Sequence, residues 1–77
     1  MSATHNLAVL KRRIDELDQA IAQFEEKRSQ MQKRRHAASP AMQARIDEKL
    51  RLNAACLDAL HRSRKAAVIA YEDGCGG

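Results

Sequence analysis

Residues 7–31 read LAVLKRRIDELDQAIAQFEEKRSQM, and the spacing of their large side chains decides the fold. Leu7, Leu10, Ile14, Leu17, Ile21, Phe24, Arg28 and Met31 step alternately by three and by four. That stepping gathers them into one stripe along an α-helix, with Leu7, Ile14, Ile21 and Arg28 at heptad position a and the other four at d. A second stripe follows further on. Ile46, Leu50, Asn53, Leu57, Leu60, Arg64, Ala67 and Tyr71 step alternately by four and by three.

Between the stripes lies Ala37-Ala38-Ser39-Pro40, the one internal break in the pattern. Ser39 is a good helix N-cap, and Pro40 suits the first helical position, where a missing N–H costs nothing. The residue before a proline is pushed out of the α region, so the preceding helix should stop by Ala38. Near the start Thr4 or Asn6 has the chemistry of a cap. Near the end Gly74 is placed to close the second helix in a left-handed conformation. The chain therefore reads as a helix over 5–37, a turn over 38–40, a helix over 40–73 and a flexible tail over 74–77, all within one domain.

A short connection forces two helices to lie antiparallel. The stripes then pair as Leu7 with Tyr71, Leu10 with Ala67, Leu17 with Leu60, Ile21 with Leu57, Phe24 with Asn53 and Met31 with Ile46. Each pair of numbers adds to 77 or 78, so the stripes meet in register along the whole hairpin. The fold class is all-α, a coiled-coil-like antiparallel two-helix hairpin.

Composition excludes the alternatives. The 77 residues include one Phe, one Tyr and no Trp, so an aromatic-centred core is out of reach. Three glycines, two of them at the very end, and one proline are too few for the repeated turns of a sandwich or barrel. At 44% hydrophobic the chain is too apolar to be disordered. No run approaches the roughly 18 apolar residues of a membrane span, and the first residues lack the apolar core of a signal peptide. Cys56 and Cys75 are too few for a disulfide framework, which suggests reduced thiols and a cytoplasmic setting.

Two helices side by side leave half of each stripe uncovered, and a chain this short has little else to cover it. Dimerisation into an antiparallel four-helix bundle, or docking on a larger protein, is the expected remedy. The second helix offers a wide apolar face for this, with Ala54, Cys56, Leu57, Leu60, Val68 and Tyr71 as its candidate interface residues; Cys56 is expected to sit there as a small buried hydrophobe. Polar residues at stripe positions read as register control. Arg28 is expected to lie opposite Leu50, within reach of Asp47 or Glu48, and Arg64 near Asp15 and Asp18.

The net charge of +4 comes from 14 basic against 10 acidic side chains, and the basic ones collect at the two ends of the rod. Lys33, Arg34, Arg35, Arg45, Arg62 and Lys65 are candidates for contact with a nucleic acid or an acidic partner. Asp47 with Arg51 and Asp58 with Arg62 have the i,i+4 spacing of helix ion pairs. No aromatic residue is positioned to stack on bases. His5, His36, His61 and the cysteines lack the spacing of metal ligands, although the hairpin brings His5 and Cys75 to the same end. No cofactor, metal, catalytic residue or small-molecule substrate is expected.

The plan of a short helical hairpin that dimerises resembles the Rop family of plasmid regulators, which bind paired RNA loops. That resemblance implies a nucleic-acid-binding regulator working through the basic ends. The plan also resembles two-helix co-chaperones of type III secretion and compact phage proteins that cap host factors. Separately, Leu10-Lys11-Arg12-Arg13-Ile14-Asp15-Glu16-Leu17-Asp18, with Ile21 and Arg28, is similar to the first helix of all-helical chorismate mutases. In that family Arg28 would contact a substrate carboxylate, but Lys11 stands where the first arginine belongs and the third helix is missing. The functional expectation is a non-enzymatic hairpin module (an adaptor, co-chaperone or inhibitor-type regulator) acting through an exposed apolar helix face; the alternative is the Rop-like regulator.

Overall fold

The computed structural model describes the backbone of residues 3–76 and the side chains of residues 6–74. Two helices, α1 (Ala3–His36) and α2 (Pro40–Gly76), make up the chain and pack against each other. The hairpin is a rod of 57 × 16 × 14 Å. Its long dimension is close to the ~55 Å that 37 residues span at 1.5 Å each.

The stripes meet as their spacing requires. Every stripe residue except Arg28 is buried or half-buried. Leu17, Ile21, Ile46, Leu57 and Ala67 form the core, yet each keeps 4–8% of its surface, and no described side chain is fully enclosed. A two-helix contact has no third wall, so every core residue lies near an edge.

Asn53 sits in this core at 6% exposure. Its amide Nδ2 donates to the Phe24 carbonyl across the helix pair at 3.0 Å. The amide oxygen Oδ1 is buried without a partner among the described residues. An Asn in an otherwise apolar seam costs stability, and it ties α2 to one position along α1.

The turn is built without any left-handed residue, since no described residue has positive φ. α1 ends by tightening: the Ala37 and Ala38 amides donate to the Arg34 and Arg35 carbonyls, each at 3.2 Å. Ser39 caps α2 as its position implies, its Oγ accepting from the Met42 N–H at 3.4 Å. Gln43, from the first turn of α2, reaches back across the turn. Its Nε2 donates to the carbonyls of Arg35 and Ala38, both at 3.2 Å. Helix C-termini leave carbonyls without intrahelical donors, and here a side chain of the next helix supplies them.

Three boundaries differ from the sequence reading. α1 begins at Ala3, so Thr4 and Asn6 lie inside the helix and do not cap it. It ends at His36, one residue before the expected stop. α2 continues through Gly74 to Gly76, where a cap and a flexible tail were expected; Gly77 lies outside the described residues. Gly74 acts by its small size. A β-carbon there would lie 2.7 Å from Leu7 Cδ2, so a larger residue would have to displace the end of the Leu7 side chain.

The bridge from Gln43 makes a direct test of the turn. Gln43→Ala should lower stability by about 1 kcal/mol, because the Ala38 carbonyl in the turn loses its donor and the Arg35 carbonyl keeps only the Ala38 amide. In thermal unfolding that is a fall in Tm of several degrees for a chain of this size. An unchanged Tm would mean that water satisfies the carbonyls equally well.

Candidate functional site

With the seam residues turned inward, the question is which side chains face out. The six residues expected to share an interface do not share a face. Leu57 is 4% exposed and belongs to the hairpin core, so it is no anchor for a partner. Leu60, Val68 and Tyr71 are half-buried along the same seam. Ala54 and Cys56 are exposed. They lie on opposite sides of the seam, because two residues at about 100° each carry the helix past the half-turn. Cys56 is thus a solvent-facing thiol rather than a buried hydrophobe.

The exposed large apolar residues are different ones: Val9, Met42, Leu52 and Ile69, each about half exposed. Leu52 and Ile69 stand on the outer side of α2. Leu52 heads a second run, Leu52, Cys56, Ala59, Ser63, Ala66 and Ala70, which steps alternately by four and by three and is exposed throughout. This run was legible in the sequence. The larger side chains of the hairpin seam hide it, since alanines and a serine carry little hydrophobic signal beside Leu and Ile.

Near the turn a groove of about 470 Å³ opens between the helices. Met31, Met42 and Ile46 form its floor, and Lys27, Arg34 and Lys49 stand around it. Lys27 Nζ also lies 5.6 Å from the centre of the Phe24 ring, a cation–π distance. An apolar floor inside a cationic rim suits an amphipathic partner with acidic edges.

The basic candidates divide in two. Arg35 is engaged: its Nε and Nη2 donate to Asp47 Oδ1 and Oδ2 at 2.7 and 3.3 Å, a forked pair that clamps the two helices beside the turn. Lys33, Arg34, Arg45, Arg62 and Lys65 are exposed and form no ion pair with a described residue. The i,i+4 pairs expected from the sequence do not form. Asp47 is taken by Arg35, and Arg51 pairs instead with Glu48 one turn back, at 2.5 Å. Asp58 and Arg62 do not pair. Arg64 binds Asp18 across the seam, one of the two aspartates expected near it. Arg28 is exposed and has no ion-pair partner among the described residues, its expected acidic neighbours being held elsewhere.

Among the described residues no group of three or more His, Cys, Asp or Glu side chains is arranged to hold a metal ion. The His5 and Cys75 side chains lie outside the described residues. No described helix is long and apolar enough to cross a membrane.

The Arg35 guanidinium holds the Asp47 carboxyl below its ordinary range, mainly through the hydrogen bond and further through charge. Arg51 does the same to Glu48. A carboxyl whose folded value is lowered adds stability above its ordinary value and loses that contribution as pH falls through the lowered one. Acid should therefore loosen the turn end. The Asp47 carboxyl, followed by NMR, should titrate at higher pH in Arg35→Gln than in the unaltered chain; coincident titrations would dismiss the clamp. Comparison with family models, with curated proteins and with solved structures returns no match, so the functional reading rests on this geometry.

Proposed function

We propose that this chain is a non-enzymatic helical-hairpin interaction module, one that works by presenting the outer face of α2 to another protein surface. The observation that carries the reading is the exposure of Leu52 and Ile69, at 53% and 48%, on a helix whose other large apolar side chains, apart from Met42 beside the turn, are buried or half-buried. Isolated surface hydrophobes are commonplace, but Leu52 heads an exposed run that is otherwise Ala, Ser and Cys, and Ile69 stands about 100° round the helix beside the far end of that run. Such a face lets another helix come close. Docking would be helix on helix, with the end charges setting orientation and apolar contact supplying affinity.

In this reading the partner is a second copy of the chain, a larger protein, or both in turn. The hairpin would then serve as an adaptor, co-chaperone or inhibitor-type regulator, with no catalytic residue, cofactor or small-molecule substrate. The cytoplasm is its proposed setting. The groove beside the turn would add a second contact for a partner with an acidic, amphipathic edge.

A nucleic-acid role through Lys33, Arg34, Arg45, Arg62 and Lys65 is the alternative, supported by those five cations being exposed and unpaired among the described residues. The apolar floor of the groove weighs against it, because phosphate contact has no use for Met31 and Met42.

The two readings separate in one capture experiment. The tagged chain, incubated with lysate with and without nuclease treatment and at low and at high salt, should retain the same protein partner under every condition. Leu52→Glu with Ile69→Glu should release it, while Arg34→Glu should not. Retention that vanishes on nuclease treatment, or falls steeply with salt and with Arg34→Glu, would replace this reading by the nucleic-acid one.

A further inference from the structure

The two flanks of the hairpin are not alike. In an antiparallel pair, residues that follow a stripe position on either helix share one flank, and residues that precede one share the other. Asp18 and Asp47 follow Leu17 and Ile46, and two ion pairs between the helices, Arg64 with Asp18 and Arg35 with Asp47, draw that flank closed. Lys27 and Lys49 precede Arg28 and Leu50, and on their flank lies the groove beside the turn. Their numbers add to 76, one short of the stripe pairs, so the two lysines stand at the same level on opposite walls. Arg34 follows Lys27 by one heptad along α1. Among the described residues no carboxylate lines the groove. None of the three cations forms an ion pair with a described residue, and none has an acid three or four positions away on its own helix.

Like charges opposed across a helix pair work against the pairing, and here nothing within the hairpin offsets them. Negative charge brought from outside would. On that ground, and resting on the interaction-module reading above, we propose that the groove receives an acidic amphipathic helix of a partner protein, laid along the hairpin as a third helix.

The spacing of the walls selects a helix. Lys27 and Arg34 are seven residues apart, ~10.5 Å along the axis, which is one heptad of any helix lying alongside. A partner with apolar residues at a and d and acids at e and g would meet the groove on every side. Its apolar residues would rest on Met31, Met42 and Ile46, one row of acids would follow Lys27 and Arg34, and the other would face Lys49. The floor has surface left to cover, since Met42 is 49% exposed and Met31 is half-buried. Other occupants fit less well. A single anionic headgroup cannot answer three cations spread over that length. A flat lipid surface reaches the rim but not the recessed Ile46, which is buried between the helices. A second copy bringing the same flank would set cations on cations.

A designed peptide tests the pairing: three heptads with Leu at a and d and Glu at e and g, compared with the same peptide carrying Lys at e and g. At about 0.15 M salt, charges more than about 8 Å from the peptide are largely screened. Fluorescence anisotropy should then show the full chain binding the Glu peptide at least about tenfold more tightly than the Lys peptide. Lys27→Glu with Lys49→Glu should reverse that preference. Arg62→Glu with Lys65→Glu makes the same change in net charge away from the groove and should leave the preference in place. Lys27→Glu alone turns opposed like charges into an opposite pair. It should therefore keep or raise the Tm of the free chain while weakening the Glu peptide, a split that a purely structural role for Lys27 would not give.

Equal affinity for both peptides, no binding of either at submillimolar concentration, or a preference lost equally through positions 62 and 65 would overturn the proposal. So would a fall in Tm for Lys27→Glu. Binding to phosphatidylglycerol vesicles that depends on Lys27 and Lys49, with neither peptide bound, would assign the groove to a lipid surface instead. The peptide reads the groove alone. Its failure leaves the interaction-module reading to the capture experiment at Leu52 and Ile69, and failure there leaves the peptide result standing.

Discussion

An antiparallel contact between two helices exists only where their stripes coincide, and here a connection of three residues, 37–39, fixes that coincidence. Ser39 and Pro40 start α2 at a set point, Gln43 ties its first turn to the end of α1, and Arg35 holds Asp47 beside the turn. From there the two periods run together for the length of the rod, Asn53 marking the register midway. The rest of the molecule depends on that alignment. A shift of one residue at the turn would carry Leu57 out of the core and bring Cys56 or Asp58 into it.

The same geometry explains what the hairpin lacks. Two cylinders in contact share one line, and a residue on that line is screened from two sides at most. The core residues accordingly keep several per cent of their surface, and Asn53 Oδ1 finds no donor among the described residues. In a larger domain a third element would close the seam. Here the available surface is the exposed run on α2 from Leu52 to Ala70, whose small residues leave room for another helix to approach. On the proposed reading stability and function are linked, because a partner on this face would also add a wall to the hairpin.

The hairpin, its register and its break at Ser39-Pro40 were all legible in the sequence, because strict three–four spacing of Leu and Ile is a loud signal that few other structures produce. The boundaries were less so. Gly74 has the residue type of a cap, and only the proximity of Leu7, sixty-seven positions away in the chain, shows that its smallness matters instead. The interface suffered most. Leu57 and Leu60 were read as stripe residues that would also serve an interface, with Val68 beside them on a wide face, whereas the contact with α1 already covers most of all three. Leu52 and Ile69, isolated among alanines and charges, carry no pattern that hydrophobicity alone would raise. Ion pairing was also misplaced: helix spacing suggested Asp47 with Arg51, but Arg35 approaches Asp47 from the other helix, a neighbour that spacing within one helix does not reveal.

The central claim is that the hairpin is half of a structure completed by association. Thermal unfolding of the unaltered chain, followed by its helical signal from micromolar to submillimolar concentration, tests this most directly. A complex that dissociates as it unfolds gains stability by mass action, so Tm should climb steadily with concentration. A cooperative transition at the same temperature throughout would mean that a lone hairpin is sufficient, and would contradict the account.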